Sequence, residues 1–203
     1  MESKHIAIII VAAIVVVASI AVALWMNGNQ KPPEPEPVDP YLTDDVLVVY
    51  FSATGNTADI AERIAEYLDA DIYEIVPVVP YTDEDLEREN PNGRCYKENQ
   101  NKSIRPAIAG DRIDLSKYSS IILGFPIWYK LEPNIILTFL ESYDVSDMTV
   151  IPFCTSWGTG IATAENNLFL VEPDANWMHG RQLDTDISDE DLFSWLDSLK
   201  KKA

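Results

Sequence analysis

Short runs of consecutive apolar residues alternate along this chain with longer segments in which apolar residues recur every three or four positions. The short runs predict strands that are buried on both faces, and the longer segments predict amphipathic helices. We predict strands at 46–51, 71–76, 120–125, 149–155 and 177–183, and helices at 57–68, 133–143, 163–170 and 188–199. This alternation is typical of an α/β domain built on a parallel sheet.

A separate apolar segment lies near the start of the chain. Residues 6–24 are apolar except for Ser19, and Trp25 follows them. A helix of this length covers about 28 Å, which is close to the hydrocarbon thickness of a bilayer. We therefore expect residues 1–26 to form a single-pass transmembrane anchor. The alternative is a cleaved signal peptide, although the apolar part of such peptides usually spans only about 7–15 residues.

A linker rich in proline and glutamate follows at 27–42, and we expect it to be extended and solvated. The remaining residues, 43–203, have the size of one domain. Lys4 and the terminal amine precede the apolar segment, whereas acidic residues predominate after Lys31. The positive-inside rule then predicts that the domain lies outside the cytoplasm.

The most informative motif is the turn between the first predicted strand and the first predicted helix. It consists of Ser52, Ala53, Thr54, Gly55, Asn56 and Thr57. Free backbone N–H groups at a helix N-terminus, together with side-chain hydroxyls, favour a bound phosphate. No lysine follows Gly55, which excludes a Walker loop, and a single glycine argues against a dinucleotide turn. Hydroxyls and amides without a cation suit a phosphate monoester.

Two further loops follow predicted strands. The strand at 120–125 leads into an aromatic loop, and the strand at 149–155 leads into a loop rich in Ser, Thr and Gly. Ligands of open α/β sheets bind outside the carboxyl ends of the strands, so we expect both loops to meet the phosphate turn. Their candidate residues are Pro126, Ile127, Trp128, Tyr129, Thr155, Ser156, Trp157, Gly158, Thr159 and Gly160.

These motifs resemble the flavodoxin family, whose first loop reads Ser/Thr-x-Thr-Gly-x-Thr and binds the phosphate of FMN. Ser52, Thr54, Gly55 and Thr57 match that pattern, and 126–128 is similar to flavodoxin-like domains whose third strand ends in Pro-Ile-Trp. The resemblance spans about 46–199. It implies FMN as the cofactor and a flavodoxin-like three-layer sandwich, with a five-stranded parallel sheet in the order 2-1-3-4-5.

The resemblance also implies roles for the three loops. The turn at 52–57 would hold the phosphate, and the other two loops would contact the two faces of the flavin ring. Among the aromatic candidates, we expect Trp157 or Tyr129, rather than Trp128, to stack on the ring. FMN would carry out the redox chemistry, so no catalytic residue is assigned. The expected function is a membrane-tethered electron carrier. Two alternatives stay open: an NAD(P)H-dependent FMN or quinone reductase, and a binding module without flavin.

One loop departs from the family pattern. Many flavodoxins have a small residue where the loop after the third strand meets the flavin, so that a peptide can flip there. Residues 127–130 contain no glycine, and a flipped peptide costs more at bulky residues. This departure argues against one-electron shuttling.

The region 81–112 also departs from the resemblance, because a five-stranded flavodoxin would place its second helix there. The sequence offers a short acidic helix within 82–89 and then polar chain. Five basic residues follow it: Arg94, Lys97, Lys102, Arg105 and Arg112. We expect a solvated excursion that balances nearby acids. The alternative is that Arg105 or its neighbours reach the flavin or a docking partner.

The net charge of −18 limits the possible partners. It disfavours nucleic acid and anionic lipid surfaces, and it suits a basic redox partner that approaches by electrostatic steering. Acidic surroundings also oppose the addition of a second electron to a bound flavin. The two cysteines, Cys95 and Cys154, do not form a metal-binding motif. We expect Cys154 to be a small buried hydrophobe, and a disulfide between the two stays open.

Overall fold

The computed structural model of the chain describes residues 41–200. The predicted anchor at 1–26 and the linker up to residue 40 lie outside the described residues. Within 41–200, no helix combines the length and the apolar character that crossing a bilayer requires.

Six parallel strands form one sheet in the described part of the chain. They are β1 (Val46–Tyr50), β2 (Asp71–Glu74), β3 (Ser120–Pro126), β4 (Thr149–Thr155), β5 (Asn176–Trp177) and β6 (Arg181–Leu183). The order is β2-β1-β3-β4-β5, and β6 also pairs with β4. The expected order 2-1-3-4-5 is therefore confirmed, with one additional strand.

The additional strand corrects the prediction of a single strand at 177–183. Along β4, Thr149 pairs with Asn176 and Phe153 pairs with Arg181, so one extra residue is inserted on the edge side. Pro152 of β4 lies between these pairs and has no N–H to donate. The backbone of Gly180 also passes so close to Pro152 that a Cβ built on Gly180 would lie 2.1 Å from the Pro152 carbonyl oxygen. The edge therefore bulges at 178–180 and forms two short strands.

Helices cover both faces of the sheet, which makes the domain a three-layer sandwich. They are α1 (Asn56–Leu68), α2 (Asp83–Leu86), α3 (Arg94–Gln100), α4 (Asn134–Ser142), α5 (Ala162–Val171) and α6 (Asp189–Leu199), with a 3₁₀ turn at Leu115–Lys117. The four long predicted helices are confirmed to within one residue at each end. The short helix within 82–89 is also confirmed, whereas α3 was not predicted.

The core follows the alternation of side chains along each strand. On β1, Leu47 and Val49 point to one face and belong to the buried cluster that includes α4 and α5. Val46 and Val48 point to the other face, where α1 and α6 cover them. Since both faces are covered, all five residues of β1 are buried.

The described chain begins and ends at the amino edge of this sheet. The Leu42 N–H donates to the Leu199 carbonyl over 2.8 Å. The Thr43 hydroxyl lies 2.7 Å from those of Ser119 and Ser120, where β3 begins. The loops that carry the predicted site follow the strands and therefore lie at the opposite, carboxyl edge.

Candidate binding pocket

A pocket of about 820 Å³ opens at the carboxyl edge of the sheet. Its volume lies within the range of roughly 300–1,000 Å³ that is usual for small-molecule sites. The three predicted loops meet there. Every predicted site residue lines the pocket except Ser52, Gly55 and Gly160; those that line it are Ala53, Thr54, Asn56, Thr57, Pro126, Ile127, Trp128, Tyr129, Thr155, Ser156, Trp157, Gly158 and Thr159.

The turn after β1 is shaped by its own residues. Gly55 has a φ of 90°, a left-handed conformation that glycine adopts without steric cost. Its N–H donates to the Ser52 hydroxyl over 3.1 Å, and its carbonyl accepts from the Asp59 N–H over 3.0 Å. Ser52 and Gly55 therefore fix the shape of the turn rather than line the pocket.

The same turn leaves backbone donors available at the start of α1. The N–H groups of Thr54, Asn56, Thr57 and Ala58 have no acceptor among residues 41–200. They lie at the positive end of a 13-residue helix. This end of the pocket is therefore suited to an anion such as phosphate.

A buried hydroxyl pair joins the first turn to the loop after β4. The Thr57 and Thr155 hydroxyl oxygens lie 2.9 Å apart, and both side chains are buried. The Ser156 hydroxyl accepts from the Thr159 N–H over 2.7 Å, and Gly158 has a φ of 102°. This loop is therefore a tight turn that positions hydroxyls beside the phosphate turn.

Trp157 stands on the rim of the pocket, fully exposed at 104% of its reference area. Its ring has no aromatic neighbour within the described part of the chain. A large apolar side chain held in solvent beside a cavity is available to cover a ligand.

The turn after β3 forms another wall of the pocket, and its backbone is strained. The N–H and carbonyl of Trp128 pair with those of Leu131 at 2.8 and 3.0 Å. The two residues between them, Tyr129 and Lys130, have φ values of 52° and 73°. Two left-handed residues between paired ends are typical of a type I′ turn, which favours Asn and Gly. The absence of glycine thus does not prevent a left-handed backbone here, although each such residue costs roughly 1–2 kcal/mol.

The excursion at 81–112 supports this wall. The Tyr81 ring lies edge-on to Trp128 with centroids 5.0 Å apart, and Phe51 contacts both rings at 5.5 to 5.7 Å. The Arg94 guanidinium lies over the Tyr81 ring, with its Cζ atom 3.9 Å from the ring centroid. The Tyr81 hydroxyl donates to the buried Glu98 carboxylate over 2.9 Å. The excursion is therefore packed against the pocket, which corrects the expectation of a solvated segment.

Further contacts tie the excursion to this wall and to α4. The Tyr129 hydroxyl donates to the Arg88 carbonyl, and the Tyr96 ring lies edge-on to Tyr129. From α4, the Asn134 side-chain amide donates to the carbonyls of Glu98, Asn101 and Ile104 over 3.1 to 3.2 Å. Chain that is distant in sequence therefore fixes the turn after β3.

Two buried carboxyls lie behind this wall. Burial raises the pKa of Glu98, against the opposing effect of the Tyr81 hydrogen bond and the Arg94 charge. Burial also raises the pKa of Glu132. One Glu132 oxygen accepts from the Asn167 amide over 2.5 Å, and the other has no partner among the described residues.

Several residues that line the pocket were not predicted from the sequence. They are Leu86, Arg88, Cys95, Lys130, Asp184, Thr185 and Asp186. They belong to the excursion, the strained turn and the chain after β6, where no local pattern indicates a site. Arg105, the predicted alternative, instead pairs with Glu141 at 2.6 Å and does not line the pocket.

Both cysteines are buried and free. Cys154 is fully buried in the core, as expected. Burial raises the pKa of Cys95 and of Cys154 to about 12, so both thiols are protonated at neutral pH. No disulfide joins them in the structure.

The fold and the pocket define an α/β protein of the flavodoxin-like class. At the carboxyl edge of its parallel sheet lie a turn with free backbone N–H groups, a hydroxyl-rich loop and an aromatic loop. The chain belongs to the flavodoxin family, whose sequence pattern it matches over residues 45–199. No curated protein sequence matches it.

Solved structures agree with this assignment. A candidate flavoprotein from Bacteroides eggerthii DSM 20697 is 38% identical, with a TM-score of 0.73 over 78% of this chain and 99% of that one. A candidate flavoprotein from Bacteroides uniformis ATCC 8492 is 42% identical, with a TM-score of 0.73 over 75% and 97%. A flavoprotein from Lactobacillus acidophilus NCFM, solved in complex with FMN, is 22% identical, with a TM-score of 0.61 over 74% and 97%, and shows the shared fold.

Proposed function

We propose that this domain binds FMN in the pocket at the carboxyl edge and transfers electrons. The observation that carries the proposal is that the turn with unpaired amides opens into the same pocket as a hydroxyl-rich loop and an aromatic wall. FMN combines a phosphate, a polyol chain and a flat aromatic ring, so it needs these three kinds of contact together. The FMN complex of the L. acidophilus protein is consistent with this assignment.

The residues present fit the phosphate of FMN. The N–H groups of Thr54, Asn56 and Thr57 would hold it, and each hydrogen bond to a charged group contributes roughly 1.5–3 kcal/mol. A Cβ built on Gly55 would meet no atom within 4 Å, so the edge of the turn is open. The polyol chain would lie near the hydroxyls of Ser156 and Thr159.

The residues present also fit the flavin ring. Ile127 and Tyr129 would form one side of its site, and Trp157 would cover the other, as ring contacts contribute roughly 0.5–1.5 kcal/mol beyond burial. When bound, FMN supplies the redox chemistry. The chain's own residues bind the cofactor, orient it and exclude water from one wall of the pocket.

Membrane tethering and the redox partner are further parts of the proposal. The apolar segment at 6–24 supports a single-pass anchor, and the positive-inside rule supports an extracytoplasmic domain. The net charge of −18 supports a basic protein partner. A reporter that is active only outside the cytoplasm, fused after residue 203, should be active; a silent reporter would contradict this orientation.

Parallel titration of the full-length protein with FMN and with riboflavin tests the cofactor assignment. Thr54→Ala should weaken the affinity for FMN about tenfold and leave the affinity for riboflavin unchanged, because it removes a hydroxyl beside the proposed position of the phosphate. Thr163→Ala, an exposed threonine on α5 outside the pocket, is the matched control. Absence of saturable FMN binding, or equal losses for both flavins in Thr54→Ala, would overturn the assignment.

Assays of the same FMN-loaded protein distinguish an electron carrier from a reductase. An electron carrier should exchange electrons with a partner protein and should not turn over NAD(P)H with a quinone. Sustained NAD(P)H oxidation by the FMN-loaded protein would favour the reductase.

A further inference from the structure

Two cations line the pocket without a partner among the described residues. Arg88 and Lys130 both face the cavity, and the side chain of neither forms an ion pair or a hydrogen bond within 41–200. By contrast, the side chains of four other arginines each bind a carboxylate or a backbone carbonyl: Arg63, Arg94, Arg105 and Arg112. Lys97 and Arg181 are also unpaired within 41–200, but among the described lysines and arginines only Arg88 and Lys130 line the pocket.

The fold places both cations on the same wall. The Arg88 carbonyl accepts the Tyr129 hydroxyl, and Lys130 follows Tyr129 in the strained turn. Burial raises the pKa of Tyr129, and the positive charge of Arg88 opposes that shift, which places the charge within electrostatic reach of the turn. The stretch that carries Arg88 is anchored in turn, because the Arg94 N–H donates to Asp85 and the Arg94 guanidinium donates to the Val79 carbonyl.

Two acids line another part of the pocket. Asp184 and Asp186 lie after β6, and they equal the cations in number. The formal charge of the lining is therefore zero, whereas that of the whole chain is −18. At physiological ionic strength the Debye length is about 8 Å, so charges that line the pocket act on its contents more strongly than distant surface acids.

We propose that Arg88 and Lys130 form a cationic wall that raises the reduction potential of the bound flavin, and that Asp184 and Asp186 oppose it. The inference rests on the proposed function, because it requires FMN in the pocket. Two-electron reduction leaves additional negative charge on the flavin ring, and nearby cations favour the form with that charge. The expectation from net charge alone, that acidic surroundings oppose the second electron, therefore does not apply to the pocket itself.

Redox titration of full-length, FMN-loaded variants tests the cationic wall. In the double variant Arg88→Gln/Lys130→Gln, binding of reduced FMN should weaken about tenfold relative to binding of oxidised FMN. This change lowers the two-electron midpoint potential by about 30 mV. The matched control is Arg181→Gln/Lys97→Gln, which removes one arginine and one lysine that are exposed, unpaired within 41–200 and outside the pocket. Asp184→Asn/Asp186→Asn should move the midpoint in the opposite direction.

The outcomes are distinguishable from a failure of the proposed function. If the unmodified protein binds no FMN, the proposed function fails before the wall is tested. If it binds FMN and the pocket variant shifts the midpoint no more than the control does, the cationic wall is wrong. Shifts of the same sign in the Arg88/Lys130 and Asp184/Asp186 variants would also overturn it.

Discussion

The turn after β1 and the turn after β3 line one pocket and are built in different ways. The backbone of the first is shaped by its own residues, because Gly55 adopts the left-handed conformation freely and the Ser52 hydroxyl accepts the Gly55 N–H. The second places Tyr129 and Lys130 in the same unfavourable region and depends on contacts from the excursion at 81–112. A site can thus combine a locally determined turn with a turn that is held in place by distant chain.

This difference assigns different tasks to the two turns. A locally determined turn presents backbone N–H groups at fixed positions, which suits the small and invariant phosphate. A turn held from outside can carry large side chains in a strained backbone, since the surrounding structure determines its conformation. Substitutions in the first turn should therefore affect phosphate recognition, and substitutions around the second should affect stability and the ring wall.

The largest effect is expected from Gly55→Val. A β-branched residue is strongly disfavoured at a φ of 90°, so the turn should change shape and misplace the amides. FMN affinity should fall about a hundredfold, with a much smaller loss for riboflavin, because about two hydrogen bonds to phosphate are lost. Gly160→Val is the control, since Gly160 has neither a positive φ nor a neighbour within 4 Å. An equal loss of both flavins would show that the two turns are not specialised.

Tyr81→Phe should destabilise the protein by about 2 kcal/mol. The variant removes the hydroxyl that donates to Glu98, and a buried carboxylate without its donor costs roughly 1–3 kcal/mol. Urea unfolding measures the loss of stability. The affinities for FMN and for riboflavin should fall together, because the wall formed by the turn after β3 loosens. Tyr96→Phe is the control on the same excursion, since no hydrogen bond of the Tyr96 hydroxyl occurs within 41–200. A preferential loss of FMN would place Tyr81 with the phosphate turn instead.

Glu132→Gln should stabilise the protein by about 1 kcal/mol at pH 7. Burial raises the Glu132 pKa above its ordinary value of 4.5, so at a pH between these two values the folded state holds a proton that the unfolded state has released. The stability that this carboxyl contributes is therefore complete below pH 4.5 and is lost as the pH rises through the folded pKa. Unfolding free energies measured from pH 4 to pH 8 should decline less in Glu132→Gln than in the parent. The exposed Glu62→Gln should leave the profile unchanged; an unchanged profile in Glu132→Gln would refute the prediction.

The smallest effect is expected from Lys130→Gly, a gain of about 0.5 kcal/mol in unfolding free energy. Glycine relieves the left-handed strain at a φ of 73°, and the greater entropy of the unfolded chain offsets part of that gain. Asp111→Gly provides the contrast, because this exposed loop residue has no positive φ and should only lose stability. Equal losses in the two variants would mean that the turn after β3 is not strained.

The sequence predicted those parts that depend on local pattern. Buried strands, amphipathic helices and the Ser52–Thr57 turn all leave a periodic or compositional signal in adjacent residues. The split of the last strand was not predictable, since it requires Pro152 of β4 to lie beside the backbone of Gly180. Arg88 and Asp184 were missed for the same reason: only the folded chain brings them to the pocket.

The excursion shows most clearly where pattern fails. Its composition is polar, which predicts a solvated segment, and yet Cys95 and Glu98 are buried within it. Glu98 is tolerated inside because Tyr81 donates to it and Arg94 lies 3.6 Å from it. Partners of this kind are distributed over the chain and leave no periodic signal.

The attachment of the chain at the amino edge of the sheet has a practical consequence. Leu42 is fixed beside Leu199, so residue 41, where the described chain begins, lies at the edge opposite the pocket. Along β1 alone, the sheet separates the two edges by about 17 Å. A domain immobilised on an electrode through residue 41 would therefore present its pocket to the solution, and a soluble mediator would reach the flavin more readily than the electrode surface would.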